Sequence, residues 1–332
     1  MDIDFVITWV DGADSVWKKE KENYIPEDEN DDSDGRYRDW DLLRFWLRGV
    51  EKYAGWVRKI HFITWGHVPK WLVEEHPKLH IVLHEDYLPK EILPTYNSCV
   101  LELFLHKIPG LAKHFVYFND DMFLTKNVRP EDFFKDGLPC DMLAFQPVVA
   151  NAGNPLMSRV YMNHSIVLAK HFDKRSNVKA HMKNYFKIGY PLLHFFYNAL
   201  ELCFPRYTGF YTVHGPSAFL KQTYEDVWEK EHDLLMKIAH NRFRSNTDVS
   251  QYLFREWQKL SGNFKPKNVE KQLAYFEIGQ DNHKIVEAIE KQKKKVICIN
   301  DTGAAVDEDC VRKQLVNSFE KILGETSSFE KA

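Results

Sequence analysis

At 332 residues, with 44% apolar and 14% aromatic content, the chain has enough apolar surface for a sizeable core in one large domain or two. A formal charge of -3, left over from 45 basic and 48 acidic side chains, argues against a protein that coats nucleic acid and places binding in a local site. Five cysteines, odd in number and never in a CxxC pair, argue against a disulfide framework or structural zinc and fit a reducing compartment.

Met1 runs straight into Asp2-Ile3-Asp4-Phe5, without the basic segment, apolar stretch and cleavage site of a signal peptide. The longest apolar-rich run, Leu192 to Phe204, is broken by His194, Asn198 and Glu201 and is too short to span a bilayer, so a soluble or peripheral protein is expected. Ile3 to Val10 is a buried strand ending at Asp11-Gly12. Glu27 to Asp34, almost all acidic, reads as a solvated loop. From Trp40 to Tyr53, Leu43, Trp46, Leu47 and Val50 recur at helical spacing. Ile60 to Thr64 and His80 to His84 are short strands, Ser98 to Ile108 is a helix stopped by Pro109-Gly110, and Phe115 to Phe118 is a buried strand.

Strands alternating with helices predict an α/β sheet covered on both faces, with ligands beyond the carboxyl ends of the strands, where Asp11 and Asn119 to Asp121 lie. Pro147 to about Pro205 is mixed and aromatic-rich, with no clear element. Its basic stretch Lys170 to Arg206 reads as a solvated helix, the alternative being contact with a lipid-linked glycan at a membrane surface. Leu220 to Ala239, Val249 to Leu260 and His283 to Lys293 are predicted helices, followed by a strand Val296 to Ile299 and a last helix from Cys310 to Leu323; Asn263 to Asn268 is the expected linker. The expected division is a nucleotide-sugar-binding α/β part over 1–146, a cap or acceptor region over 147–210, and 211–332 completing the same catalytic domain.

Asn119-Asp120-Asp121 places carboxylates at a strand end, where hard cations shared with substrate phosphates are held, although Asn and Asp also favour plain turns. Asn300-Asp301 repeats the arrangement. Trp9-Val10-Asp11-Gly12 combines an aromatic for a base, an acid for a ribose and a glycine for close backbone approach; a plain turn would use the same Asp-Gly. His214-Gly215-Pro216 sets an imidazole in a turn, as a general base requires. The segment Arg242 to Asp248 offers guanidinium to phosphate oxygens and an acid to orient it, the alternative being a helix end with Asn246 or Thr247 capping the next helix.

Together these motifs resemble the Stealth family of hexose-1-phosphate transferases, which includes bacterial capsular polysaccharide phosphotransferases and the catalytic part of the animal lysosomal-enzyme N-acetylglucosamine-1-phosphotransferase. Four shared regions appear in order: Ile3 to Gly12; Asp41 through Trp56-Val57-Arg58-Lys59-Ile60, Pro69-Lys70-Trp71-Leu72, Leu93 to Ser98 and Phe118 to Asp121; His214-Gly215-Pro216 through Asp248; and Cys298 to Asp301. The resemblance implies a fold like the glycosyltransferase A type, a divalent metal (magnesium or manganese), a uridine-diphosphate-sugar donor and a glycan or lipid-linked oligosaccharide acceptor. It points to Asp120, His214, Arg244 and Asp248 for catalysis, to Asp121 and Asp301 for the metal, and to Thr8, Trp9, Asp11, Gly12, Asn119 and Asn300 for the nucleotide-sugar. Ser217 stands where many relatives carry a second histidine, so the base is either His214 or a carboxylate such as Asp120.

Without large inserts the chain looks like the bacterial capsule enzymes, which implies a cytoplasmic protein, in contact at most with the inner face of the plasma membrane. The expected reaction transfers hexose 1-phosphate or N-acetylhexosamine 1-phosphate to a sugar hydroxyl and releases uridine monophosphate. The alternatives are an ordinary glycosyltransferase releasing the diphosphate, a metal-dependent phosphoesterase, and a carbohydrate-binding module stacking sugars on Trp65, Trp71 and Tyr96.

Overall fold

The computed structural model describes residues 1–25 and 37–331; the acidic stretch Glu27 to Asp34 lies outside the described residues. The chain opens with β1 (Ile3–Thr8). Asp14 then caps α1 (Ser15–Glu22) by accepting from the Val16 and Trp17 amides. α2 (Leu43–Tyr53) buries Leu43, Trp46, Leu47 and Val50, as their spacing requires. β2 (Ile60–Thr64), β3 (Leu79–Leu83) and the single turn α3 (His84–Tyr87) follow. α4 (Ser98–Leu103) is capped by Asn97 and gives way to a 3-10 turn at Leu105–Lys107, shorter than the expected helix; Pro109 lacks the N–H that continuation would need. β4 (His114–Phe118) runs into the Asn119–Asp121 turn, which closes with the Met122 amide donating to the Asn119 carbonyl at 3.2 Å and leads into β5 (Met122–Leu124). α5 (Pro130–Phe133), β6 (Phe134–Lys135) and β7 (Leu138–Asp141) follow.

The middle region with no clear element is helical: α6 (Pro155–His171), α7 (Lys174–Tyr185) and α8 (Leu192–Glu201). Polar residues sit on their buried sides, among them His164, Asn177 and Asn198, so apolar periodicity does not mark the inward face. Ser217 to Leu220 form a strand, β8 (Ser217–Leu220), ahead of α9 (Lys221–Ala239). α10 (Gln251–Leu260) is capped by Ser250, which accepts from the Tyr252 amide; neither Asn246 nor Thr247 is the cap. The expected linker instead contains β9 (Lys265–Pro266), which pairs with β7. β10 (Leu273–Glu277), α11 (His283–Glu290), β11 (Val296–Asn300) and α12 (Glu308–Leu323) end the chain.

The main sheet has the order β3-β2-β1-β4-β8, parallel except for β8 at the edge, which runs antiparallel to β4. A second sheet, β10-β11-β5, is parallel between β10 and β11 and antiparallel between β11 and β5. Strand alternation supplies both faces of the main sheet. Phe5, Ile7, Val116 and Phe118 join one apolar cluster with α2 and α12, whereas Val6, Phe115 and Tyr117 join another with α4, α9 and α10. This is the expected α/β architecture, a parallel-dominated sheet flanked by helices.

Candidate active site

The chain passes outward from β1 through β2 to β3, then returns to place β4 on the other side of β1. That reversal opens a crevice between the carboxyl ends of β1 and β4, where Ile7 pairs with Phe118. Thr8 to Asp11 and Asn119 to Asp121 leave the sheet at this point. Because β8 is antiparallel to β4 and Ser217 pairs with Tyr117, the loop entering β8 arrives at the same end and carries His214 with it. β11 is antiparallel to β5, and the Ile299 amide donates to the Asp121 carbonyl at 2.9 Å, so its end also reaches the turn. Strand order therefore brings Asp121, His214 and Cys298 together, with ligand atoms within 4.8 Å of one another.

Asp121 Oδ2 lies 3.3 Å from His214 Nε2 and accepts from the Cys298 thiol at 3.2 Å. His214 Nδ1 is 2.7 Å from the Tyr252 hydroxyl. A phenol can donate or accept, so Tyr252 serves either imidazole tautomer. Tyr275 sets its ring edge-on to that of His214 at 5.7 Å and accepts from Asn300 Nδ2 at 3.0 Å. Burial, then the Asp121 charge, pushes the Cys298 thiol far above its ordinary range, so it stays a neutral donor. The sequence pattern assigns no role to Cys298, Tyr252 or Tyr275. The one available signal for Cys298 was its two-residue spacing from Asn300, which puts both on one face of β11.

Asp120 stands exposed beside Asp121. Surrounding protein, and then the Asp121 and Asp39 charges, push its carboxyl up to about 7, and solvent on its open side tempers that rise. Glu102 is only 7% exposed. It accepts from the Gln251 amide at 2.9 Å and from the Tyr117 hydroxyl at 3.3 Å; that hydroxyl is also 3.0 Å from Thr8 Oγ1. Burial pushes the Glu102 carboxyl up to about 7, opposed by the Gln251 amide and the Arg244 charge. Arg244 Nη2 donates to Ser98 Oγ at 2.8 Å, the one hydrogen bond its guanidinium makes among the described residues, and its other N–H groups remain for an anion.

Asp248 is fully buried, and its oxygens accept from Asn97 and Asn241 side chains and the Ser245 amide. It fastens the loop that carries Arg244 and has no face toward the crevice. Asp301 Oδ2 accepts from Trp40 Nε1 at 3.1 Å and pairs with Arg38 at 3.5 Å, while Oδ1 takes the Gly303 amide. It stands outside the Asp121 group. The Asp11 amide donates to His67 Nε2 at 2.7 Å, and its Oδ1 accepts from the Ala13 amide. Trp9 packs against Phe62 and His67. Gly12 is needed by the chain itself: a Cβ there would meet the Tyr37 carbonyl oxygen at 2.2 Å. Tyr96 is 8% exposed and stacked on Phe243, which removes it as a sugar platform.

Asp121 Oδ1 and Asn119 Oδ1 are buried without a hydrogen-bond partner. Two orphaned oxygen acceptors at one turn are what magnesium or manganese requires, since hard cations take oxygen ligands. These residues fit the expected cation, with the neutral Cys298 thiol orienting Asp121.

Two family profiles match the chain: Stealth protein CR1, conserved region 1, over residues 1–29, and Stealth protein CR2, conserved region 2, over residues 36–140. A capsular polysaccharide phosphotransferase, WcwK, of Streptococcus pneumoniae is 40% identical over 335 residues, covering 99% of this chain and 98% of its own. The exopolysaccharide phosphotransferase cps2G of Lactiplantibacillus plantarum is 37% identical, with 99% and 96% covered. The receptor polysaccharide phosphotransferase WefC of Streptococcus gordonii is 34% identical, with 99% and 98% covered. Among solved structures, mouse xyloside xylosyltransferase 1 in its apo form aligns with a TM-score of 0.37 and 12% identity over 90% of this chain and 97% of that one.

Proposed function

We propose, because this chain belongs to the Stealth family of sugar-phosphate transferases, that it moves hexose 1-phosphate or N-acetylhexosamine 1-phosphate from a uridine-diphosphate sugar to a sugar hydroxyl in capsule or exopolysaccharide synthesis. The observation that carries this reading is the meeting of Asp121, with its unpartnered oxygen, and His214 at the crevice between β1 and β4. The nucleotide lies along Thr8 to Gly12 with Asn119 and Asn300 at its other side. A magnesium or manganese ion, held by Asp121 with Asn119 beside it, would neutralise charge on the diphosphate. Asp301 holds Arg38 and Trp40 through Oδ2 and the Gly303 amide through Oδ1, and the remaining lone pair of Oδ1 is what it would offer the ion.

His214 takes the proton of the acceptor hydroxyl, and the Tyr252 hydroxyl holds the imidazole in orientation. The acceptor oxygen bonds to the phosphorus nearest the sugar as the bond to the bridging oxygen breaks, and uridine monophosphate leaves with that oxygen. The unspent N–H groups of Arg244 meet the charge on the equatorial oxygens. The bond between anomeric carbon and oxygen is untouched, so configuration is retained. The acceptor is a glycan, free or lipid-linked.

Incubation with uridine-diphosphate sugars, a capsule-type oligosaccharide and magnesium, read by mass spectrometry, should yield uridine monophosphate and a phosphodiester. Uridine diphosphate as the product would replace this reading with glycosyl transfer. Release of a sugar phosphate at equal rate without the oligosaccharide would replace it with hydrolysis.

A further inference from the structure

Helix α8 turns its polar side inward and its apolar side outward. His194, Asn198 and Glu201, spaced for one face, are 4%, 0% and 1% exposed. Each is held by the rest of the chain. Asn198 Oδ1 accepts from the Phe145 amide at 2.7 Å and its Nδ2 donates to the Tyr185 carbonyl at 2.6 Å. Glu201 pairs with the buried Lys174, and His194 lies 3.2 Å from Glu270. Rotating the helix would strip these groups of their partners, so its orientation is set. The opposite face leaves Leu192, Leu193 and Phe196 at 86%, 57% and 62% exposed. Ile188, in the loop before the helix, and Phe204, beyond it, extend the strip.

Positive charge borders this strip. Residues 170 to 206 carry seven lysines and arginines against Asp173 and Glu201. Lys174 neutralises Glu201, and Asp173 caps α7 by accepting from the Ser176 amide. Arg175, Lys179, Lys183, Lys187 and Arg206 are left exposed. Lys187 adjoins Ile188, and Arg206 lies two residues past Phe204, so a cation stands at either end of the strip. An apolar helix face with a basic border is the composition of a helix lying in a bilayer interface, apolar residues below the headgroups and cations among anionic ones. A second copy of the chain fits less well, because a two-fold contact through the strip sets its basic border against an identical one.

We propose that α8 and its two flanking loops form a docking face for the surface of an anionic lipid bilayer. This goes beyond the transfer reaction and is tested by binding alone, so it stands or falls separately. The full chain is sedimented with vesicles of phosphatidylglycerol and phosphatidylcholine, or of phosphatidylcholine only. The wild type should pellet with the anionic vesicles, less so in high salt, and the Leu193→Glu/Phe196→Glu double variant should lose about tenfold or more of that partition. Its circular-dichroism melt should match wild type, since both positions face water. Lys187→Glu/Arg206→Glu should abolish the preference for anionic lipid. The proposal is overturned if wild type stays in the supernatant, if the apolar double variant binds equally well, or if sedimentation velocity shows a dimer that this double variant dissociates.

Discussion

The two oxygens of Asp121 are unlike: Oδ2 faces His214 and Cys298, whereas Oδ1 is buried with no partner. Asp121→Asn keeps the shape and removes the charge that makes the turn a cation ligand. Turnover should fall by about a thousandfold or more, with thermal unfolding unchanged or slightly raised because a partly buried negative charge is removed. An Asn variant that turns over normally would take Asp121 out of the metal role. Glu102 gives a pH-dependent test of the floor beneath it. Its folded pKa of about 7 lies above the ordinary 4.5, so the folded chain holds the proton more tightly than the unfolded one. The stability this contributes is complete below 4.5 and is lost as pH rises through about 7. At about 1.4 kcal/mol per pH unit the window corresponds to roughly 3 kcal/mol. Urea unfolding on either side of the window should show wild type losing about that much relative to Glu102→Gln, and a difference constant with pH would contradict the assignment.

At the scale of elements, Arg255 on α10 locks three segments to one another. Its Nε and Nη2 donate to Asp141 at the end of β7 at 2.6 and 3.0 Å, and its Nη1 donates to the Val213 carbonyl at 2.7 Å, directly before His214. The pair is buried, and the neighbouring Arg255 and Lys259 charges hold the Asp141 carboxyl below its usual range against the effect of burial. Arg255→Met leaves that carboxylate enclosed without its partner, a loss of about 3–5 kcal/mol in unfolding free energy. Adding Asp141→Leu should restore part of it, because the stranded charge is then gone. A shift under about 1 kcal/mol in the single variant would mean that solvent reaches Asp141. Legibility in the sequence follows the same division. Strand ends such as Phe118-Asn119 were readable because a short continuous apolar run and the turn residues that end it are local signals. The Ser250 cap and β8 were not, because Asn246 and Thr247 compete as caps and Ser217 to Leu220 continues into a helix without a break.

Across the whole molecule, the acidic turns at Asp11, Asp121 and Asp301, the histidine turn at His214 and the α/β pattern were present in the amino-acid order alone, since each depends on neighbours within a few residues. The four ordered motifs sufficed to place the chain in its family. Which of those residues meet was settled by strand order. β1 beside β4 opens the crevice, antiparallel β8 returns His214 to it, and β11 against β5 supplies Cys298. Long-range pairing likewise enclosed Asp248 as a fastener, tied Asp301 to Trp40 and Arg38, and made Gly12 a matter of contact with Tyr37. The same holds for α8, whose apolar run in sequence has no assigned side. Only the hydrogen bonds of Asn198 and the Lys174–Glu201 pair turn that run toward the outside, because a buried polar group without a partner costs more than an exposed leucine.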